Sequence, residues 1–292
     1  SRYEPSSMFD FHPVNRDAWK SSMSQDDYEA AVRTIRDDIA RGWVYQANLC
    51  RVLTAELSQP IDGLAFWQAL CQHNPAPHAG YLYVPEHEDE QRVEIMCASP
   101  ELFLSRNQSM VMSSPIKGTA VSREQLLDKD SSENIMIVDL VRNDLSHVAA
   151  PGSVSVKELL RLEEHPGLVH LVSDVVGELP SNVSWTQILA GLTPPGSVSG
   201  APKSSALEVI QRLEPTERGI YCGAFGWVDA DSQTASLAVG IRTFWQEVVN
   251  GQATLNFGTG AGITWGSDPR AEWLETELKA NHLLNIAANS AK

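Results

Sequence analysis

Residues 223–263, GAFGWVDADSQTASLAVGIRTFWQEVVNGQATLNFGTGAGI, decide the fold class. Apolar and β-branched residues form short runs here, and turn-forming residues separate those runs at 229–232 and at 250–251. An Asn-Gly pair between two such runs is a strong signal for a two-residue β-hairpin, because both residues tolerate a positive φ. The stretch therefore predicts antiparallel hairpins.

The rest of the chain surrounds these hairpins with further strands and with helices. Strand-like patterns occupy 43–57, 78–86, 93–106, 108–119, 151–156 and 167–179. Helical patterns follow Ser24, run from Ser131 to His147, cover 185–192, follow a glycine- and proline-rich loop near Pro202, and run from the Asp268-Pro269 cap to about Ala288. Runs of strands with helices between the groups predict an α+β fold, with layered antiparallel sheets flanked by helices. We expect an irregular start over 1–22 and a single domain over 23–292.

Composition limits the classes of function. The 292 residues are 42% hydrophobic and carry a formal net charge of −15, which argues against nucleic acid or an anionic membrane as a partner. An anionic substrate would need a local cation or a metal ion. The four cysteines show no CxxC spacing and predict free thiols in a cytoplasmic protein. No apolar run reaches the roughly 20 residues of a membrane span. The chain begins at Ser1, so we expect that an upstream segment is missing.

Two residues in the first half are candidates for chemistry. Lys117 lies between a Pro-Ile pair and Gly-Thr, and it is either a surface charge beside a turn or an amine held in a pocket. Glu101 follows Ser99-Pro100 at the head of an apolar strand, where a carboxyl either pairs with a cation or acts as an acid with a raised pKa. Glu133 near a helix N-terminus is explained equally by the helix dipole.

The second half adds residues that could hold anions. Glu272, Glu275 and Lys279 share one helix face, which spacing alone indicates is a solvated, ion-paired face. Glycines at 258, 260 and 262 precede that helix and could expose backbone N–H groups as a loop that binds a carboxylate or phosphate. The loop 194–203 is either a second loop of this kind or a plain turn and helix start. Arg242 needs an anion if it faces inward. His170, inside an apolar run, is more simply a buried, hydrogen-bonded histidine.

The order of the motifs along the chain carries more information than any one of them. The motifs are YQANL, ASPELFL, PIKGT, ENIMIVDLVRNDL, PGSVSV, VHLVS, PGSVSGAPK, YCGAFGW, IRT, GAGI and SDPRAEWLETELKA. Together, from about Met23 onward, they resemble the chorismate-utilising enzymes. The likeness is greatest to the aminodeoxychorismate synthase branch, because anthranilate synthases usually carry alanine at the position of Lys117. Isochorismate and salicylate synthases usually carry lysine at the position of Gln46. The chain departs from the family in the short segment after PIKGT, in Ser146-His147, and in lacking the family's N-terminal portion.

The resemblance implies roles for particular residues. It implies that Lys117 attacks C2 of chorismate, that Glu101 protonates the departing C4 hydroxyl, and that ammonia then adds at C4. It implies that Glu133 and Glu275 bind one Mg²⁺, with Glu272 supporting it through water. It also implies a set of residues that contact the substrate, namely Gln46, Thr119, His170, Ser199, Tyr221, Arg242, Gly260, Ala261, Gly262 and Lys279.

The resemblance also implies a partner. No glutaminase signature surrounds any of the four cysteines, so we expect ammonia to come from solution or from a separate glutaminase subunit. The product would be 4-amino-4-deoxychorismate, a precursor of para-aminobenzoate and folate. Two alternatives remain at this point: component I of anthranilate synthase, which would eliminate pyruvate, and a truncated, non-catalytic subunit that binds a glutaminase.

Overall fold

The computed structural model describes residues 11–87, 91–120, 123–125, 128–165 and 168–289. The strands are β1 (Trp19–Ser21), β2 (Gln46–Leu57), β3 (His78–Val84), β4 (Arg92–Ser99), β5 (Leu102–Asn107), β6 (Met110–Ser114), β7 (Ile116–Ala120), β8 (Ser155–His165), β9 (Leu168–Glu178), β10 (Gly200–Ala201), β11 (Ala224–Asp229), β12 (Thr234–Val239), β13 (Thr243–Val249) and β14 (Gln252–Ile263). The helices are α1 (Gln25–Ala40), α2 (Gly63–His73), α3 (Asp128–Ser146), α4 (Trp185–Leu192), α5 (Gly196–Ser199), α6 (Lys203–Leu213) and α7 (Pro269–Ala287). Two 3-10 turns lie at Arg16–Ala18 and Arg123–Gln125.

The chain divides into two compact units. The first unit comprises Ser1–Pro100, Ser204–Tyr221 and Gly240–Lys292, and the second comprises Glu101–Lys203 and Cys222–Val239. Each unit is therefore assembled from segments that are distant in sequence. The single domain that we predicted over 23–292 stays a prediction, because compactness does not establish that either unit folds independently.

The first unit contains an antiparallel sheet in the order β1-β2-β14-β13-β4-β3. The strand β1 pairs with β2, so the start of the chain is less irregular than we predicted. Helices α2 and α7 enclose a core in which Phe66, Phe244 and Phe257 are buried. Helix α1 covers a second cluster around Tyr28 and Ile35. An aromatic core of this kind buries a large apolar area and supplies much of a unit's stability.

The second unit contains another antiparallel sheet, in the order β11-β12-β5-β6-β9-β7, with β8 also paired to β9. Helix α3 packs on β7, β8 and β9 and also contacts α4 and α5. Both units thus combine antiparallel sheets with helices, and the α+β prediction is confirmed.

Local sequence signals located several elements correctly. The hairpin of β13 and β14 pairs Val249 with Gln252, and its two turn residues have φ of 52° at Asn250 and 79° at Gly251. Positive φ at both positions is the signature of a type I′ turn, as the Asn-Gly pair predicted. The Asp268 side chain accepts a hydrogen bond from the Ala271 N–H and starts α7, with Pro269 in the first turn.

Other segments differ from the prediction. The pattern at 93–106 is two strands, β4 and β5, which belong to different sheets, and the pattern at 108–119 is broken at Pro115 into β6 and β7. Proline lacks the backbone N–H that a continuous strand needs, so it ends the pairing. The sequence did not predict α2, and the charged turn predicted at 86–91 lies partly outside the described residues. All four cysteines are free thiols, as predicted. None of the described helices combines the length and apolar character that a membrane crossing requires.

Candidate functional site

Glu101 lies in the second unit, immediately before β5. Its backbone carbonyl accepts a hydrogen bond from the Val239 N–H at 3.0 Å, which fixes it beside β12. The side chain is buried, and Oε1 accepts a hydrogen bond from the Ser197 hydroxyl at 2.7 Å. Burial raises the pKa of Glu101, while the Ser197 hydrogen bond and the Lys117 charge act in the opposite direction. This carboxyl therefore holds its proton more readily than a solvated glutamate does.

Lys117 is half-buried on β7. It pairs with Leu171 on β9, and the register shifts between Lys117 and Thr119. Gly118, at this irregularity, has a φ of 77°, a conformation that glycine adopts without steric cost. Lys117 is thus held on a sheet, near enough to lower the pKa of the Glu101 carboxyl, which argues against an ordinary surface charge.

Glu133 and His170 belong to the same region of the second unit. The residue after Glu133, Asn134, is buried and donates a hydrogen bond to the Leu171 carbonyl at 2.9 Å, which anchors α3 to β9. Leu171 is also the ladder partner of Lys117, so Glu133 and Lys117 lie on elements fixed to the same residue. His170 is 3% exposed. Of Thr119, the structure describes only the backbone, which pairs with His170.

The two serines of the motif PGSVSGAPK have different partners. Ser199, which the sequence suggested as a substrate contact, is fully buried and donates its hydroxyl to the Pro195 carbonyl at 2.9 Å. Ser197 is the residue that reaches Glu101. Sequence analysis missed Ser197 because the motif contains both serines within one helical turn, and only a tertiary contact distinguishes them.

In the first unit, Gln46 and Tyr221 lie against glycines of β14. The Gln46 side chain is buried and donates to Asn48 Oδ1 at 3.0 Å, and a Cβ on Gly262 would lie 2.8 Å from Gln46 Nε2. A Cβ on Gly258 would lie 2.0 Å from Tyr221 Cγ and would clash with that side chain. These glycines are therefore required for close packing.

The glycine-rich segment is a strand rather than the loop that we predicted. β14 pairs with β2 from Ala253 to Ile263, but its pairing with β13 ends at Phe257. The Gly260 carbonyl accepts a hydrogen bond from Lys279 Nζ at 3.0 Å, so it points away from β2. In an antiparallel strand the N–H and C=O of one residue point to the same edge of the strand. Every second residue points its groups to that same edge. Gly260 and Gly262 thus direct N–H groups to the edge that β13 does not cover.

The three candidate residues of α7 differ in environment. Glu275 and Lys279 form an ion pair at 2.6 Å, and their side chains are 49% and 48% exposed. Glu272 is buried in the first turn of α7, where it contributes to raising the pKa of Tyr28, after burial and Cys50. The face is therefore ion-paired and solvated at Glu275 and Lys279, and it is buried at Glu272.

Arg242 precedes β13 with a φ of 50°, which is uncommon for a residue with a side chain. Its guanidinium is partly buried, and burial lowers its pKa. Within the described part of the chain, no carboxylate pairs with it. A desolvated cation of this kind provides favourable electrostatics for an anionic ligand.

The structure thus places the predicted residues in two groups. The group in the second unit contains Glu101, Lys117, Glu133 and His170, with Thr119 and Ser199 on neighbouring segments. The group in the first unit contains Gln46, Tyr221, Arg242, Gly260, Ala261, Gly262, Glu272, Glu275 and Lys279. Among the described residues, no three His, Cys, Asp or Glu side chains converge into a metal-binding cluster.

Comparison with known proteins identifies the family. The model of the chorismate binding enzyme family matches residues 5–285. The chain belongs to the chorismate-binding enzymes. It is 34% identical over 281 residues to aminodeoxychorismate synthase component 1 of Klebsiella aerogenes, covering 92% of this chain and 59% of that protein. It is also 34% identical over 277 residues to anthranilate synthase component 1 of Saccharolobus solfataricus, covering 91% and 63%.

Solved structures agree with the family. The crystal structure of anthranilate synthase component I from Streptococcus pneumoniae TIGR4 matches with a TM-score of 0.78 and 30% identity, covering 94% of this chain and 60% of that one. The chain therefore spans about three fifths of the length of these relatives. The resemblance that the motifs indicated is confirmed at the level of the family.

Proposed function

We propose that this chain aminates chorismate to 4-amino-4-deoxychorismate, as component I of an aminodeoxychorismate synthase. The observation that carries the proposal is the placement of Lys117 on β7 in the same unit as the buried Glu101, where its charge acts to lower the Glu101 pKa. Among the relatives with about one third identity, some are named for this activity and some for anthranilate synthesis. The choice between the two therefore rests on Lys117.

The Lys117–Glu101 pair can supply both reactive groups through one proton transfer. An ammonium with a carboxylate contains as many protons as a free amine with a carboxylic acid. Burial of Glu101 favours its protonated form, so transfer of a proton from Lys117 to Glu101 creates the nucleophile and the general acid together. No net charge has to enter the buried region in this step.

The proposed reaction then proceeds in two displacements. The Lys117 amine forms a bond to C2, the ring double bond shifts, and the C4 hydroxyl leaves as water with the proton of Glu101. Ammonia next forms a bond to C4, the double bond returns, the Lys117 amine is expelled, and the added nitrogen returns one proton to the Lys117–Glu101 pair. The sum is chorismate and ammonia giving 4-amino-4-deoxychorismate and water, with the enzyme regenerated.

Residues of the first unit are suited to hold the two carboxylates of the substrate. Arg242 provides a partly desolvated positive charge, and Gly260 and Gly262 provide N–H groups on an uncovered strand edge. Gln46, Ala261, Tyr221 and Lys279 complete the proposed substrate contacts of this unit, and Thr119, His170 and Ser199 those of the other. The positive charge of Arg242 would offset part of the repulsion that a net charge of −15 exerts on a dianion.

Mg²⁺ is proposed as the metal ion, because the resemblance indicates carboxylate ligands. Glu133, Glu275 and Glu272 offer hard oxygen ligands, and Mg²⁺ is usually bound through one or two carboxylates together with water and substrate oxygens. A set without histidine or cysteine suits Mg²⁺ better than zinc. When bound, the ion would neutralise the ring carboxylate and help to position the substrate.

Ammonia is proposed to come from a glutaminase subunit. The matched relatives are named component 1, which supports a partner for this chain as well. We expect activity with ammonium ion at alkaline pH and no glutamine-dependent activity from this chain alone. Hydrolysis of glutamine by the purified chain would contradict this assignment.

Anthranilate synthesis is the second candidate, favoured by a relative of equal identity. The test is incubation of the chain with chorismate, Mg²⁺ and ammonium salt, followed by mass spectrometry of the product. We expect 4-amino-4-deoxychorismate, which retains the enolpyruvyl group. Anthranilate with released pyruvate would refute the amination proposal, and an unchanged substrate would favour a non-catalytic subunit.

A further inference from the structure

The segment 193–202, which connects α4 to α6, carries Ser197 to Glu101. Ser197 is the second residue of the short helix α5, and its hydroxyl donates to Glu101 Oε1 at 2.7 Å. Pro195 precedes this helix and provides no side-chain cap. Some other group must therefore hold the start of the helix in place.

Asp144, near the C-terminal end of α3, is that group. Its Oδ2 accepts a hydrogen bond from the Gly196 N–H at 3.1 Å, and the carboxyl is almost completely buried. Gly196 allows this approach, because a Cβ there would lie only 3.0 Å from Oδ2. Adjacent residues of the segment thus bind two buried carboxyls, Gly196 binding Asp144 and Ser197 binding Glu101.

Lys203 closes the segment at its other end. Its Nζ lies 2.9 Å from Asp144 Oδ1 and donates to the Leu192 carbonyl at 3.2 Å. Leu192 ends α4 and Lys203 begins α6, so one ammonium group joins both ends of the segment to Asp144. Burial raises the pKa of Asp144, while the charge of Lys203, its hydrogen bond, the Gly196 N–H and His147 oppose that effect.

Glu101 and Asp144 also line the same small cavity. Its volume is about 20 Å³, and its remaining polar lining comes from Ser113 and Ser197, with apolar side chains such as Phe103 and Leu145 around them. Hydrogen bonds in such a low-dielectric region are strong, and misplaced partners are costly. A displacement of the segment would therefore change the hydrogen bonding of the Glu101 carboxyl.

We propose that Asp144, paired with Lys203, is a positioning residue that fixes the segment 193–202 so that the Ser197 hydroxyl remains hydrogen-bonded to the Glu101 carboxyl. The inference rests on the proposed function, in which Glu101 is the general acid. Through Ser197, Asp144 would set the pH at which Glu101 gives up its proton. Among the described residues, the titratable groups whose charge acts on the two carboxyls are Lys117 on β7, Lys203 on α6 and His147 after α3.

The first experiment needs no substrate. Glutamate residues are labelled with ¹³C at the carboxyl carbon, the Glu101 resonance is assigned by its loss in Glu101→Gln, and its titration is followed by NMR. Ser197→Ala should move the titration to higher pH, because the lost hydrogen bond favours the carboxylate form. Ser197→Thr, which keeps the hydroxyl, should restore the wild-type position.

Asp144→Asn separates positioning from a direct charge effect. Removing a negative charge by itself would move the Glu101 titration to lower pH, whereas losing the Ser197 hydrogen bond would move it to higher pH. We expect the upward shift, and we expect it to vanish when Ser197→Ala is already present. Gly196→Ala displaces the Asp144 carboxyl without changing any charge, and it should also move the Glu101 titration to higher pH. It replaces Asp144→Asn in the experiment if that variant does not fold.

The matched control is Asp139→Asn. Asp139 lies on the same helix and is paired with Arg142, but its side chain is 68% exposed. The Asp139→Asn variant should leave the Glu101 titration unchanged. A downward shift in Asp144→Asn, an upward shift that persists in the double variant, or no response to Gly196→Ala would overturn the inference.

The second experiment distinguishes failure of the inference from failure of the proposed function. With chorismate, ammonium and Mg²⁺, the alkaline limb of kcat/KM should move upward in Ser197→Ala and Asp144→Asn. Their kcat should fall by less than the roughly 10²–10⁴-fold expected for loss of a general acid. If the wild-type chain does not aminate chorismate, the function fails while the NMR titration still decides the inference. If the wild-type chain does aminate chorismate, and the Glu101 titration does not shift in the variants, only the inference fails.

Discussion

Two glutamate–lysine pairs, one in each unit, contain the same chemical groups in different surroundings. Glu101 is buried, and Lys117 is half-buried on a sheet. Glu275 and Lys279 are about half exposed, four residues apart on α7. Water screens an exposed pair, so its attraction is weak, whereas burial penalises the charged forms of the groups that it encloses. The proposed proton exchange between Lys117 and Glu101 therefore depends on their surroundings, because Glu275 and Lys279 contain the same groups without burial.

The largest expected effect is the loss of Lys117. In the wild-type chain, chorismate and Mg²⁺ without ammonia should produce a covalent adduct that peptide mapping places within PIKGT. Lys117→Ala should form no adduct and should lose nearly all amination, because the nucleophile is absent. Intact-protein mass spectrometry measures the adduct, and product analysis measures the amination.

A lysine of the same unit provides the control for this experiment. Lys157 on β8 is exposed, so Lys157→Ala should form the adduct and turn over normally. A wild-type enzyme that consumes chorismate without labelling Lys117, together with a fully active Lys117→Ala variant, would remove the buried pair from the mechanism.

Loss of a proposed metal ligand should have the next largest effect. Glu133→Gln or Glu275→Gln should abolish turnover at limiting Mg²⁺ and leave the circular dichroism spectrum and melting temperature near those of the wild type. The physical reason is that an amide oxygen is a weaker ligand for Mg²⁺ than a carboxylate. Normal activity of both variants at limiting Mg²⁺ would leave Glu133 and Glu275 with a structural role only.

Replacement of Glu101 tests the acid in the buried pair. Glu101→Gln retains the shape and can still accept the Ser197 hydrogen bond, but it has no proton to donate at neutral pH. We expect kcat to fall by about 10²–10⁴-fold with little change in chorismate binding. In the wild type, activity should decline at alkaline pH as Lys117 and Glu101 lose the one proton that they share, because the general acid then cannot form, and this limb should be missing in the variant. A near-normal kcat would show that the carboxyl is structural.

Local sequence rules predicted the elements whose ends are determined by neighbouring residues. The turn at Asn250-Gly251 and the caps at Ser24 and Asp268 depend on contacts within three residues, and the structure has all of them. The continuous strand expected at 93–106 was wrong, because the assignment of β4 and β5 to different sheets depends on partners that are far away in sequence. Periodicity cannot reveal such partners.

The candidate site shows the same limit. Lys117 and Glu101 were identifiable from their motifs, since unusual neighbours surround each of them. Ser197 and Asp144 were not, because Ser197 reaches Glu101 across 96 positions and Asp144 reaches Gly196 across 52. The role of the β14 glycines in binding an anion stays a prediction, whereas the structure shows a packing reason for glycine: side chains such as Tyr221 occupy the space in which a Cβ would lie.

The smallest expected effect concerns the stability contributed by the exposed pair. Lys279→Gln removes the ion pair with Glu275, and exposed pairs of this kind contribute about 0–1 kcal/mol. The free energy of unfolding, measured with urea, should therefore change by no more than about 1 kcal/mol. The KM for chorismate should nevertheless rise, because Lys279 is proposed to contact a substrate carboxylate. The matched control is Lys20→Gln, which breaks another exposed pair of the same unit, Lys20 with Glu56 at 3.0 Å. That variant should show a similarly small change in stability and an unchanged KM. Equal KM values in the two variants would mean that Lys279 serves only its contacts with Glu275 and the Gly260 carbonyl, and the proposed substrate contacts would then lack Lys279.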